Sequence, residues 1–135
     1  LDLLNPGTFT PSYWVKREKI LKEFRIHIWN KGEECVSIKA GRKIPKLGVM
    51  PHPWVRSLEG GWRIIYDGLE VRPRHRKLAK QAIQALALNF GAVDIGEMED
   101  GSLIVFEVNR APGLGSGTAL VYAQRIKEWA SGQDT

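Results

Sequence analysis

Residues 90–118 read FGAVDIGEMEDGSLIVFEVNRAPGLGSGT, and the organisation of the chain turns on how they fold. Asp100-Gly101 is the tightest hairpin signal in the sequence, a pair able to supply the positive φ angles of a two-residue type I′ turn between alternating strands. With that pair as the loop, Glu99 faces Ser102. Residue numbers across the hairpin then sum to a constant, which sets Asp94 opposite Glu107. Asn109 shares their face because side chains alternate along a strand. A register slip of one residue would undo the arrangement.

Two carboxylates opposed at about 4.5–5.5 Å between Cβ atoms repel each other unless a cation sits between them. Mg²⁺ suits such a place: it takes oxygen ligands, keeps several waters and is held by one or two carboxylates plus substrate phosphates. The same spacing also describes a solvated sheet face whose charges never meet.

The rest of the chain sets bounds on that choice. With 135 residues, 43% of them hydrophobic and 26% charged, the composition is that of an ordinary globular protein. No apolar run approaches the roughly 20 residues that span a bilayer, and the N-terminus lacks a signal-peptide pattern, so a cytoplasmic location is expected. The single cysteine, Cys35, excludes an internal disulfide framework and a cysteine-based zinc site. The opening LDLLNPGTFTPS starts at Leu1 and reads as an excerpt of a longer protein. Residues 1–82 carry 17 Lys and Arg against 8 acids, a net +9, whereas residues 83–135 carry 3 against 7, a net −4. A basic body with an acidic end suits a ligand made of polyanion plus metal.

Taken in order, PSYWVKR (11–17) reads as a short strand and residues 18–22 as a charged connector. EFRIHIW (23–29) alternates, with Phe24, Ile26 and Ile28 on one face and Glu23, Arg25 and His27 on the other. A turn at 30–33 returns the chain as a second strand, 34–39, from which Lys39 projects on the side of Arg25. A lone strand histidine such as His27 carries little chemical signal. Residues 40–53 read as a long basic loop, 54–57 and 62–67 as a hairpin around Gly60-Gly61, and 75–88 as a helix with an apolar face of Ala79, Ala82, Ile83, Leu86 and Phe90. A last helix runs to about Ala130, with Ala119, Leu120, Ala123, Ile126 and Trp129 facing inward and Ser131-Gly132 as its stop. The expected fold class is α+β, an antiparallel sheet with two main helices.

At EFRIHI, at GAVDI and above all at FEVNRAPGL, the chain resembles the ATP-grasp superfamily of ATP-dependent carboxylate ligases. The ribosomal-protein glutamate ligases and phage-encoded ATP-grasp proteins are the nearer likeness, the D-alanine:D-alanine ligases the more distant one. The match runs from Ser12 to Trp129. It implies a partial ATP-grasp domain: a hinge segment and connector (1–22), a metal- and nucleotide-binding C-terminal subdomain (23–130) and a tail (131–135). It further implies that Asp94, Glu107 and Asn109 ligate two Mg²⁺ ions bridging the phosphates of ATP, and that Arg25 meets phosphate or acyl phosphate. Lys39 and Arg42 would line the same cleft, Arg56 would match a further arginine of the site, and Val15, Lys16 and Glu18 would belong to the hinge under adenine.

The activity implied is phosphoryl transfer from ATP to a carboxylate, followed by attack of an amine on the acyl phosphate. The upstream subdomain with its glycine-rich lid is not in the sequence, and residues 113–117, which lack a G-K-[ST] ending, do not replace it. The alternatives are a catalytically degenerate nucleotide-binding or structural module of phage type and, behind it, a basic nucleic-acid-binding domain that stacks bases on tryptophan.

Overall fold

A computed structural model describes residues 12–13 and 16–132. The element order is β1 (Ile20–Lys31), β2 (Glu34–Pro45), β3 (Trp62–Ile65), α1 (Pro73–Ala85), β4 (Phe90–Met98), β5 (Leu103–Asn109) and α2 (Ser116–Gly132). The strands form one sheet in the order β3-β2-β1-β4-β5, with every pairing antiparallel, so the fold is α+β as expected.

Strand β1 lies at the centre because it buries both faces. Its alternation sends Phe24, Ile26 and Ile28, all fully buried, into a core shared with Ala79 and Ile83 of α1 and with Val93 and Ile95 of β4. The helix begins at Pro73, where a missing N–H costs nothing, and the backbone N–H of Arg72 donates to Nδ1 of His75 at 2.9 Å. It ends a turn earlier than expected: Ala87 takes a positive φ of 52°, and Phe90 is already the first residue of β4.

Several other boundaries move. β1 starts inside the supposed connector 18–22, and β2 continues through residues 40–45, which had read as loop. Only Trp62–Ile65 forms a strand in the region 54–67, and it pairs with β2 rather than with residues 54–57. Gly41 explains how β3 approaches so closely, since a Cβ at this position would collide with the carbonyl of Ile65. Of the strand expected at 11–17, Pro11, Trp14 and Val15 lie outside the described residues, and Lys16 and Arg17 carry no strand pairing.

The β4–β5 hairpin reaches the expected pairing by a different path. The backbone N–H of Met98 donates to Ser102 O at 2.9 Å and that of Gly101 to Met98 O at 3.0 Å, so the loop has three residues, 99–101, with Gly101 at φ 84°. A bulge then inserts Phe106 between the pairs Ile95–Val105 and Asp94–Glu107. The longer loop shifts the register by one and the bulge shifts it back, so Asp94 stands opposite Glu107.

Helix α2 covers one end of the sheet face opposite α1. Its buried residues are Thr118 and Tyr122, whereas Leu120 (72% exposed), Ala123 and Ile126 face outward, so the expected inward face is turned away. The helix runs through Ser131-Gly132, which had read as its stop. Among the described residues no helix is long and apolar enough to cross a membrane.

Candidate functional site

The sheet face opposite α1 carries the polar members of the central strands. Arg25 pairs with Asp94 of β4 and with Gly41 of β2, and Asp94 pairs in turn with Glu107, so these side chains stand in adjacent rows on one face. Lys43 joins them because alternation carries β2 from Lys39 through Gly41 to Lys43. This face is the floor of an open cleft of about 1080 Å³, lined also by residues 16–20 and 53–58, two segments that touch through Arg17 on Trp54 and Arg56 on Ile20 O.

Arg25 and Asp94 are the geometric centre. Nε of Arg25 donates to Oδ1 of Asp94 at 2.8 Å and Nη2 to Oδ2 at 2.9 Å, a bidentate pair. Lys43 donates to Glu23 and its Nζ lies 3.6 Å from Oδ2 of Asp94. The hydrogen bonds to Asp94 raise the already high pKa of Arg25, overcoming the opposing effect of burial. Glu107 is exposed on the rim and has no hydrogen-bond or ion-pair partner among the described residues. Oδ1 of Asn109 accepts from the backbone N–H of Ala111 at 3.0 Å.

Of the other expected site residues, Lys16 and Glu18 line the cleft as an ion pair at 3.1 Å, and Val15 lies outside the described residues. Arg56 forms part of the wall: it donates to Ile20 O at 2.9 Å and its guanidinium lies 4.6 Å from the centre of the Trp62 ring. Lys39 shares the face of Arg25 but sits beside α2, with Nζ 4.8 Å above the ring of Tyr66 and outside the cleft lining. Arg42 is a correction. It pairs with Phe24, which turns it to the α1 face, where it holds Glu70 instead of lining the cleft. Alternation from Lys39 sets this parity, since Gly41 and Lys43 keep its face and Arg42 takes the other.

Sequence reasoning passed over Lys43, Glu23 as its partner, and Tyr66. The signal for Lys43 was available: alternation from Lys39 points to it once β2 is continued past Ala40. Tyr66 lines the cleft and reaches back to His27. That histidine is fully buried, with Nδ1 2.9 Å from the hydroxyl of Tyr122 and Nε2 3.2 Å from that of Tyr66. The neutral ring donates through one nitrogen and accepts through the other, which ties α2 and the end of β3 to the sheet. Burial pushes the hydroxyl of Tyr122 up to about 12 and raises that of Tyr66.

Burial, reinforced by the charges of Arg25 and Lys39, lowers the pKa of His27 to about 4 from 6.5. The unfolded chain therefore takes up a proton that the native state refuses. Stability should be unaffected by this group above pH 6.5, fall as the pH drops from 6.5 to 4, and level off below, for a total of about 3 kcal/mol. Urea denaturation of wild type and His27→Gln across that window checks this; equal pH slopes would refute it.

Among the described residues the tryptophans do not form a stacking row, and Trp14 lies outside them. Trp29 is buried and stacks on Phe90, Trp62 lies under Arg56, and Trp54 is exposed with the guanidinium of Arg17 4.4 Å from its ring centre. Among the described residues no three His, Cys, Asp or Glu side chains cluster as a metal cage. The donors on the face still fit a hard cation in part: Glu107 makes no hydrogen bond among the described residues, and the Asn109 oxygen and both Asp94 oxygens, each accepting one hydrogen bond, keep a further lone pair.

No protein-family model matches the chain, and no curated protein matches it. Among solved structures it is similar to the ATP-grasp ligase PsnB, determined in complex with a minimal precursor, at 18% identity and a TM-score of 0.50. The likeness covers 72% of this chain and 28% of the ligase, so the chain spans under a third of that protein's length. The five-stranded antiparallel sheet with its two helices is thus an ATP-grasp-like domain, the fold of part of an ATP-grasp ligase.

Proposed function

We propose that the chain is the Mg-ATP-binding C-terminal part of an ATP-grasp ligase that joins a carboxylate to an amine through an acyl phosphate. Its extent would be residues 23–130, with 1–22 as hinge and connector. The observation that carries this reading is the meeting of both charge types in the cleft: Arg25 and Lys43 on the floor and Arg56 in the wall, with the exposed carboxylate of Glu107, which makes no hydrogen bond among the described residues, lining the same cleft. A polyphosphate bearing a hard cation satisfies both halves, its oxygens meeting guanidinium and ammonium donors and its metal meeting oxygen donors.

Glu107 and Asn109 would hold magnesium, which when bound neutralises charge developing on the transferred phosphoryl group. Arg25, fixed by Asp94, presents a pre-oriented guanidinium to phosphate, so no reorganisation is needed when the charge moves. Lys16 and Glu18 would border the adenine, and Lys39 would act from behind Tyr66. A nucleotide-binding module without turnover is the second reading, favoured by the commitment of Asp94 to Arg25.

Titration calorimetry with Mg·ATP tests binding. Wild type should bind, and Glu107→Gln should lose about tenfold or more of its magnesium-dependent affinity. Absence of any heat with wild type would overturn the proposal. Release of ADP in the presence of an amino-acid mixture separates a ligase from a module that only binds.

A further inference from the structure

Tyr122 needs an acceptor for its hydroxyl proton. The residue is 5% exposed, and among the described residues the hydroxyl has one hydrogen-bond partner, Nδ1 of His27 at 2.9 Å. A buried hydroxyl that accepted from this nitrogen would leave its own proton unsatisfied, so Tyr122 donates and Nδ1 accepts. His27 is kept neutral by burial and by the charges of Arg25 and Lys39, and a neutral imidazole that accepts at Nδ1 carries its proton on Nε2. Nε2, 3.2 Å from the hydroxyl of Tyr66, therefore donates to it. The donors run outward from Tyr122 through His27 to Tyr66, a half-buried residue that lines the cleft. The proton of the Tyr66 hydroxyl is left without an acceptor among the described residues.

We propose that the hydroxyl of Tyr66 donates to a phosphate oxygen of the ligand in the cleft, and that His27 and Tyr122 are positioning residues that fix the direction of that bond. The inference rests on the function proposed above and adds a ligand-binding residue to that site. Tyr66 shares the cleft lining with Arg25, whose charge reaches it: the guanidinium favours the ionised form of the phenol, against the effect of burial. Arg25 commits two of its five N–H donors to Asp94 and keeps three. Lys39 adds a second positive charge, with Nζ 4.8 Å from the centre of the Tyr66 ring. A hydroxyl proton beside two cations suits an anionic oxygen, since such a bond is charge-assisted and the cations favour the same ligand. Because His27 does not engage that proton, binding breaks no hydrogen bond within the protein, and the donor is oriented before the ligand arrives.

The direction of the chain is read in the wild-type protein without any ligand. Long-range proton–nitrogen correlation spectra at neutral pH, with the His27 signals assigned by their loss from His27→Gln, show which ring nitrogen is protonated. The Nε2–H tautomer is expected, and the Nδ1–H tautomer overturns the inference. Contact with the ligand is read by titration calorimetry with Mg·ATP and with magnesium tripolyphosphate. Tyr66→Phe keeps the ring and removes only the hydroxyl, and it should lose about tenfold in affinity for both ligands, as expected for a charge-assisted hydrogen bond. Tyr122→Phe removes the orienting donor but leaves the contacting hydroxyl, and it should lose no more than about threefold. Thermal melts confirm that both variants are folded, and the tautomer in wild type stands without either. Unchanged affinity in Tyr66→Phe, a loss with Mg·ATP alone, or a loss from Tyr122→Phe equal to that from Tyr66→Phe overturns the inference and leaves nucleotide binding intact. Failure of wild type to bind either ligand overturns the proposed function itself, and the phosphate contact with it.

Discussion

Arg25→Met should destabilise the fold by about 3–5 kcal/mol, the range for removing one member of a buried ion pair. The cost comes from what is left behind. Asp94 keeps its position in β4 between β1 and β5, with a side chain only 7% exposed, and loses both of its short hydrogen bonds. Lys43 at 3.6 Å recovers part of the loss, which places the expected value toward the lower end of the range. Pairing Arg25→Met with Asp94→Leu should restore most of the stability, because the uncompensated charge is then gone. Urea denaturation of the single and double variants measures both effects. A single variant within about 1 kcal/mol of wild type would mean that Asp94 is already well solvated.

Phe24→Ala should cost about 3–5 kcal/mol by lost transfer energy and the cavity left in the core. The ring is fully buried between the central strand and α1, and its centroid lies 4.3 Å from that of His75, so neither neighbour can collapse without moving a secondary-structure element. Leu120→Ala is the contrasting substitution: the side chain is 72% exposed on the outer face of α2, and the change should stay within about 0.5 kcal/mol. Comparable losses from the two would mean that α2 packs through the face that sequence periodicity suggested. Denaturant midpoints at constant slope report both values.

The contrast between those substitutions marks where the sequence was readable. Residues 23–28 alternate without interruption, and a sheet buried on that face obeys the pattern, so Phe24, Ile26 and Ile28 were assignable to the core before any coordinates. Helix α1 was legible for the same reason, with Ala79 and Ile83 inward. Helix α2 was not. Its apolar residues are spread around the cylinder, and the face it buries follows from the bond of Tyr122 to His27, a partner 95 residues away.

The opposition of Asp94 and Glu107 was read correctly through a loop that has three residues rather than two. A bulge at Phe106 compensates for the extra residue, and no local signal in LIVFEVN announces it. Residues 40–45 show the converse. Gly41 and Pro45 had marked the segment as loop, yet β3 covers Gly41 and makes it a strand position, which brings Lys43 into the cleft and turns Arg42 out of it.

By itself the sequence determined the fold class, the central strand, the first helix and the residue types of the charged face, because each depends on periodicities that local chemistry imposes. Tertiary structure alone decided which charges meet. Side chains in adjacent strands touch according to bulges and crossovers set far away in the chain, and one such contact, Arg25 on Asp94, joins two residues 69 positions apart that the sequence had placed on separate strands.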